Sequence, residues 1–204
     1  MKTLHRILSV LALAWVGATA APAAELSLEG PRLIVSGLLD DSAARAFAEH
    51  LNTGKVRTVV FEDAFGGTVE AAEMYARAIR AGGINTEARG QCYAACAFAF
   101  LAGREHRFGR GLQANALLIP AAVRPRPGEA RKTLEALTAA GRAALAATSR
   151  GAWPPDQGVL FSSTPTLFGR VYKTAYCDGT QGLDTTRCET LPDADPYQLG
   201  VLTP

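Results

Sequence analysis

The strongest constraint on the fold is a local pattern that occurs twice between Val59 and Gly103. Each time, a short apolar run of strand character ends in a glycine-bearing turn, and the turn opens an apolar run of helix character. The two turns are Ala64-Phe65-Gly66-Gly67-Thr68 and Gly90-Gln91-Cys92-Tyr93-Ala94-Ala95-Cys96. Strand–turn–helix units of this kind build α/β folds with a mainly parallel sheet. Such sheets present reactive groups at the carboxyl ends of strands, where helix N-termini point.

The flanking sequence extends the pattern. Glu25 to Gly30 and Arg32 to Gly37 read as two short strands around Gly30-Pro31, with Leu26, Leu28, Leu33 and Val35 alternating inward. Asp40 or Asp41 caps a helix to about Leu51, and Arg57 to Phe61 has the continuous apolar character of a buried parallel strand. After Gly66-Gly67, Thr68 opens a helix with Val69, Ala72, Ala76 and Ile79 on one face, ended by Gly82-Gly83. Ile84 to Ala88 reads as a strand, and Tyr93 to Ala102 as a helix apolar almost all round, hence buried. Two short strands are expected at Arg107-Phe108 and Ala116 to Ile119, followed by a proline-rich connection from Pro120 to Pro127. A long Ala-rich helix from about Glu129 to Thr148 has a small apolar face (Leu134, Leu137, Ala140, Leu145) suited to a neighbouring helix or subunit. From Gly151 onward periodicity fades, and the region reads as an irregular appendage with a few short strands.

The first residues are of another kind. Lys2 and Arg6 form a basic n-region, Ile7 to Ala18 an apolar stretch too short for a stable span, and small residues follow through Ala24. This is the pattern of a secretory signal peptide, residues 1–23, with cleavage near 20–24. The expected product is exported, periplasmic or secreted, without a membrane anchor. Removing Lys2 and Arg6 from the 21 basic residues leaves 19, equal to the 19 acidic ones. That balance gives no basis for nucleic-acid binding.

Export implies paired cysteines, and four of them allow three connectivities. Cys177 and Cys188 bracket a turn-rich segment, which favours a local bridge. Cys92 and Cys96 are too far apart within a regular helix to bond, so their pairing requires Cys92 to lie before the helix. The C-x3-C spacing lacks the second Cys or His pair that zinc would need. No phosphate-binding loop or dinucleotide fingerprint occurs, and neither metal nor cofactor is expected.

The two turns together resemble the Clp protease/crotonase superfamily, and specifically the exported Clp-protease-like proteins of bacteria. Those proteins carry a Ser/Asp-Pro-Gly-Gly turn and, one helix and one strand later, a G-x-C-x-S-A-C motif before a buried helix. The likeness covers roughly residues 30–125. It implies a spiral of βα units over residues 25–150, followed by a C-terminal extension over 151–204 with a disulfide loop packed on the same domain. It further implies an oxyanion hole from the Gly66 and Gly67 backbone, a pocket lined by Thr68 and Tyr93, and a tendency to form homo-oligomers.

The departures from that pattern bear on activity. The serine position falls on Ala94, which has no hydroxyl, and the histidine position falls at or next to Pro120, which carries no proton. Outside the leader the histidines are His50 and His106, neither expected near Ala94. Each member of a Ser–His pair depends on the other, so the superfamily mechanism is not expected here. Thr68 reads as a helix cap, Cys92 and Cys96 as a disulfide, and Lys132 as a solvated helix residue. Arg104 to Arg107 reads as a charged turn, and Ser162-Ser163-Thr164 as a turn. The sequence therefore points to an exported pseudopeptidase that binds a peptide, an acyl-type ligand or a partner subunit. The alternatives are a hydrolase with a non-standard nucleophile and a purely structural oligomer subunit.

Overall fold

The computed structural model describes residues 23–121, 130–147, 157–182 and 184–204, with side chains in the 130–147 helix described from 134 to 146. Residues 1–22 of the expected leader, most of the proline-rich connection, Trp153 and the Lys132 side chain lie outside the described residues.

Among the described residues nine strands form one mixed sheet: β1 (Glu25–Glu29), β2 (Arg32–Leu38), β3 (Thr58–Phe65), β4 (Asn85–Tyr93), β5 (His106–Phe108), β6 (Asn115–Ile119), β7 (Gln157–Thr166), β8 (Gly169–Asp178) and β9 (Glu189–Thr190). The order is β1-β2-β3-β4-β6-β7-β8-β9, with β5 also pairing β4. The centre, β2 through β6, is parallel, and the flanking pairs are antiparallel. The α-helices among the described residues are α1 (Ala44–Asn52), α2 (Val69–Gly82), α3 (Ala95–Phe100) and α4 (Ala130–Ala147). The α/β class with a parallel centre is as the periodicity predicts.

The main core joins Leu33, Val35, Val59, Phe61, Leu117, Ile119 and Phe161 of the sheet to Phe47, Ala72, Ile79 and the whole of α3. All six α3 residues are buried, which is why that segment is apolar on every face. Thr68 caps α2 by accepting the Ala71 N–H at 3.1 Å, and Gly83 ends it in the left-handed conformation. Gly141 of α4 stands against Phe98, Ile119 and the Pro120 carbonyl, with Leu137 and Leu145 buried. The small face of α4 thus packs on its own domain.

Four local expectations are corrected. Asp40 does not cap α1; its Oδ1 accepts the Ser42 N–H in a turn before Ala43, the residue at the cap. β4 does not end at Ala88 but runs through Gly90 to Tyr93, so α3 begins only at Ala95. Ser162, Ser163 and Thr164 lie within β7, not in a turn. The chain from Gln157 is an ordered hairpin of two ten-residue strands that continues the main sheet. Its antiparallel partner β6 supplies the register that short-range periodicity alone could not.

Among the described residues one buried side-chain polar atom is unmatched. Tyr75 packs on Phe47 at 4.6 Å between ring centroids, and its hydroxyl is buried with no hydrogen-bond partner among the described residues. Burial, with Asp40 and Asp41 nearby, pushes its pKa up to about 12. Since a buried hydroxyl without a partner is costly, Tyr75→Phe should raise the unfolding free energy by about 1 kcal/mol. Chemical denaturation at neutral pH measures it; a loss of stability would reveal a bond to that hydroxyl.

Candidate functional site

Ala94 links β4 to α3 with φ 57° and ψ −116°, one of two non-glycine residues at positive φ among those described. Such a conformation strains a residue with a Cβ and persists only where its surroundings impose it. Three constraints do so. The Ala94 N–H donates to the Leu118 carbonyl at 3.1 Å, the Ala95 N–H donates to the Gly66 carbonyl at 3.0 Å, and the disulfide Cys92–Cys96 spans the bend. Cys92 lies in β4 and Cys96 in α3, which resolves the geometric difficulty of a bond four residues apart. The second disulfide is Cys177–Cys188, and no cysteine is free among the described residues.

The Gly66–Gly67 turn stands beside this elbow. Both glycines have positive φ, and neither N–H donates a hydrogen bond among the described residues. A Cβ on Gly67 would collide with the Leu39 carbonyl oxygen and lie 2.7 Å from the Ala95 Cβ. The turn is therefore glycine because two strand ends and α3 close on it. An oxyanion hole of the strand–turn–helix type draws one donor from the residue after the nucleophile. Here that donor, Ala95 N–H, is already engaged by Gly66.

The remaining expected site residues are dispersed. Pro120 is buried against α4 and β7, its carbonyl facing Gly141 and its Cα facing Gly158. His106 sits on β5 opposite Thr86 in β4, eight residues before Ala94. Its ring meets Phe100 at the far end of α3, 5.6 Å between centroids, and with about 1.5 Å of helix rise per residue it lies on the order of 15 Å from Ala94. Its Nδ1 donates to the Val201 carbonyl at 2.7 Å, and burial lowers its pKa against that bond's opposing effect. His50 is at the end of α1. Thr68 spends its hydroxyl on the cap and lies outside the described clefts; Tyr93 alone of the expected pocket residues lines one.

That cleft, about 650 Å³, lies on the sheet face opposite the main core. Tyr93, Ala116, Leu160 and Ala175 form its floor, and Thr185 and Thr186 of the Cys177–Cys188 loop stand at its wall. Asp63, Gln91, Ser162, Thr164 and Lys173 add polar groups. The register of β3 slips at Asp63, whose φ is 47°. This bulge keeps Ala64 on the core side and turns Asp63 outward, where its Oδ1 accepts the Gln91 N–H at 2.9 Å. A Cβ on Gly90 would strike that carboxylate. Burial and the Asp63 charge both raise the Tyr93 pKa, so its hydroxyl stays a donor. Where β4 parts from β5 to pair with β6, buried Asn115 accepts from Gly90 N–H at 3.0 Å and donates to the Gly109 carbonyl and Ser163 Oγ. Sequence reasoning missed Asp63, Asn115 and Lys173. The isolated Gly90 within a strand was the one available sign of a close approach.

No family model matches the chain, and no curated protein matches it. Solved structures that align with it include a "putative enoyl-CoA hydratase" from Streptomyces avermitilis, at 14% identity over 64% of this chain and 62% of that one, with a TM-score of 0.39. A second protein of that description, from Rhodopseudomonas palustris CGA009, shares 14% identity over 68% and 62%, with a TM-score of 0.37. ThnE from S. clavuligerus shares 19% over 59% and 63%, with a TM-score of 0.33. The chain thus spans less than two thirds of each of these proteins. At such TM-scores the likeness carries no functional argument, and the fold rests on the topology above.

Two outcomes follow. Gly67→Ala should cost about 3 kcal/mol or more, through strain and collision with the Leu39 carbonyl, as read by urea unfolding. Because His106 resists protonation in the fold, the unfolded chain binds the proton first. Stability should hold above about pH 6.5 and fall below it, toward the lowered folded pKa. His106→Gln should flatten that slope; an unchanged slope would relocate the titration to another group.

Proposed function

We propose that this protein is an exported, non-catalytic relative of the Clp protease/crotonase proteins that binds a peptide segment in the cleft between Tyr93 and the Cys177–Cys188 loop. The carrying observation is the Ala94 elbow: the strained strand-to-helix geometry is kept, yet the residue has no hydroxyl and the adjoining Ala95 N–H is engaged by Gly66. Acyl transfer needs a nucleophile, a base and free donors for the developing oxyanion. Both described histidines stand away from the elbow and every described cysteine is paired, so none of these groups offers a nucleophile or a base at Ala94.

The cleft supports the binding half of the reading. Hydroxyl and amide groups around a small apolar floor match the alternating donors and acceptors of a peptide main chain. Asp63 and Lys173 supply one charge of each sign. Two buried disulfides accord with an oxidising compartment, and among the described residues no helix is long and apolar enough to cross a membrane.

The test combines a fluorophosphonate probe with a peptide array. Wild type and Ala94→Ser should both keep the unmodified intact mass, while wild type captures a subset of peptides. Lys173→Met combined with Asp63→Asn should weaken that capture by about tenfold or more while the folded protein persists. A stoichiometric adduct on wild type would replace this reading with an active hydrolase. The absence of peptide capture would remove the cleft from it.

A further inference from the structure

At the far end of the β7–β8 hairpin the two loop residues are Leu167 and Phe168, exposed to 96% and 99%. Tight hairpin loops favour Asn, Asp and Gly, so two large apolar side chains there are contrary to local turn chemistry. A third joins them. Arg170 donates to the carbonyls of Gly111 and Gln113, on either side of Leu112, and so ties that loop to the hairpin end. Leu112 is 93% exposed, and Val171 is 58% exposed.

The two segments that form this tip carry charge of one sign. Residues 109–121 and 157–177 contain no Asp or Glu, while Arg110, Arg170 and Lys173 lie among them. Arg170 bonds carbonyl oxygens and Ser163 Oγ rather than a carboxylate, so its charge is not neutralised there.

We propose that this tip is a docking element for an anionic phospholipid surface: Leu112, Leu167 and Phe168 enter the headgroup–acyl boundary while Arg110 and Arg170 face the lipid phosphates. A convex apolar tip ringed by cations suits a bilayer interface, which accommodates any shape; a rigid protein partner would need a matching pocket. The contact is peripheral, and it departs from the expectation of no membrane association once the leader is removed. It is also independent of what occupies the cleft.

The experiment is co-sedimentation of the mature protein with vesicles of equal parts phosphatidylglycerol and phosphatidylcholine, against phosphatidylcholine alone. Wild type should pellet with the anionic vesicles, less so as salt rises. Leu167→Ser combined with Phe168→Ser should reduce the bound fraction by about tenfold or more, at an unchanged melting temperature. Leu28→Ser, at a half-exposed leucine on β1, should change nothing. Wild type left in the supernatant, or a double variant that pellets equally, overturns the proposal. So does a wild-type dimer, seen by sedimentation velocity without lipid and lost in the double variant, which would assign the tip to a second copy.

Discussion

The hydrogen bond from the Ala95 N–H to the Gly66 carbonyl is the contact on which the rest of this structure depends. It joins the turn after β3 to the first residue of α3, while the neighbouring Ala94 N–H ties the same bend to β6. Three parallel strands are thereby registered at their carboxyl ends, and the Cys92–Cys96 bridge closes the bend covalently. The strain at Ala94 is tolerated because each of these constraints would have to break before it could relax. The same bond leaves the Ala95 N–H engaged within the fold.

On the other face, a one-residue slip does comparable work. The bulge at Asp63 moves a carboxylate out of the core alternation and brings it to the Gln91 N–H, beside a glycine that leaves room for it. Asn115 then satisfies the backbone where β4 exchanges one partner strand for another. A buried fork in a sheet leaves unmatched main-chain groups unless a side chain bonds them. Together these two residues keep the sheet continuous and open the cleft above Tyr93, Leu160 and Ala175.

The C-terminal quarter completes the domain instead of decorating it. The β7–β8 hairpin lends Val159 and Phe161 to the main core and Leu160 and Ala175 to the smaller one. Val201 and Leu202 are buried, with the Val201 carbonyl holding His106. His106 is thus a buried structural group beside the start of β4.

Much of this was legible in the chain itself. Thr68 and Gly82-Gly83 marked the ends of α2, the apolar run Tyr93–Ala102 announced the buried helix that the structure places at Ala95–Phe100, and the turn-rich segment between Cys177 and Cys188 announced their bridge. These features are local: caps, periodicity and short loops depend on residues a few positions apart. That Ala94 carries no hydroxyl was equally plain, because side-chain composition needs no fold to be read. The sequence alone could not decide the ten-residue length of β7 and β8, the placement of Asp63, or the engagement of the Ala95 N–H. Each is settled by a partner far along the chain: β6 for β7, Gln91 for Asp63, Gly66 for Ala95. Strand register and backbone hydrogen bonding are properties of pairs, and only the tertiary structure brings the pairs together.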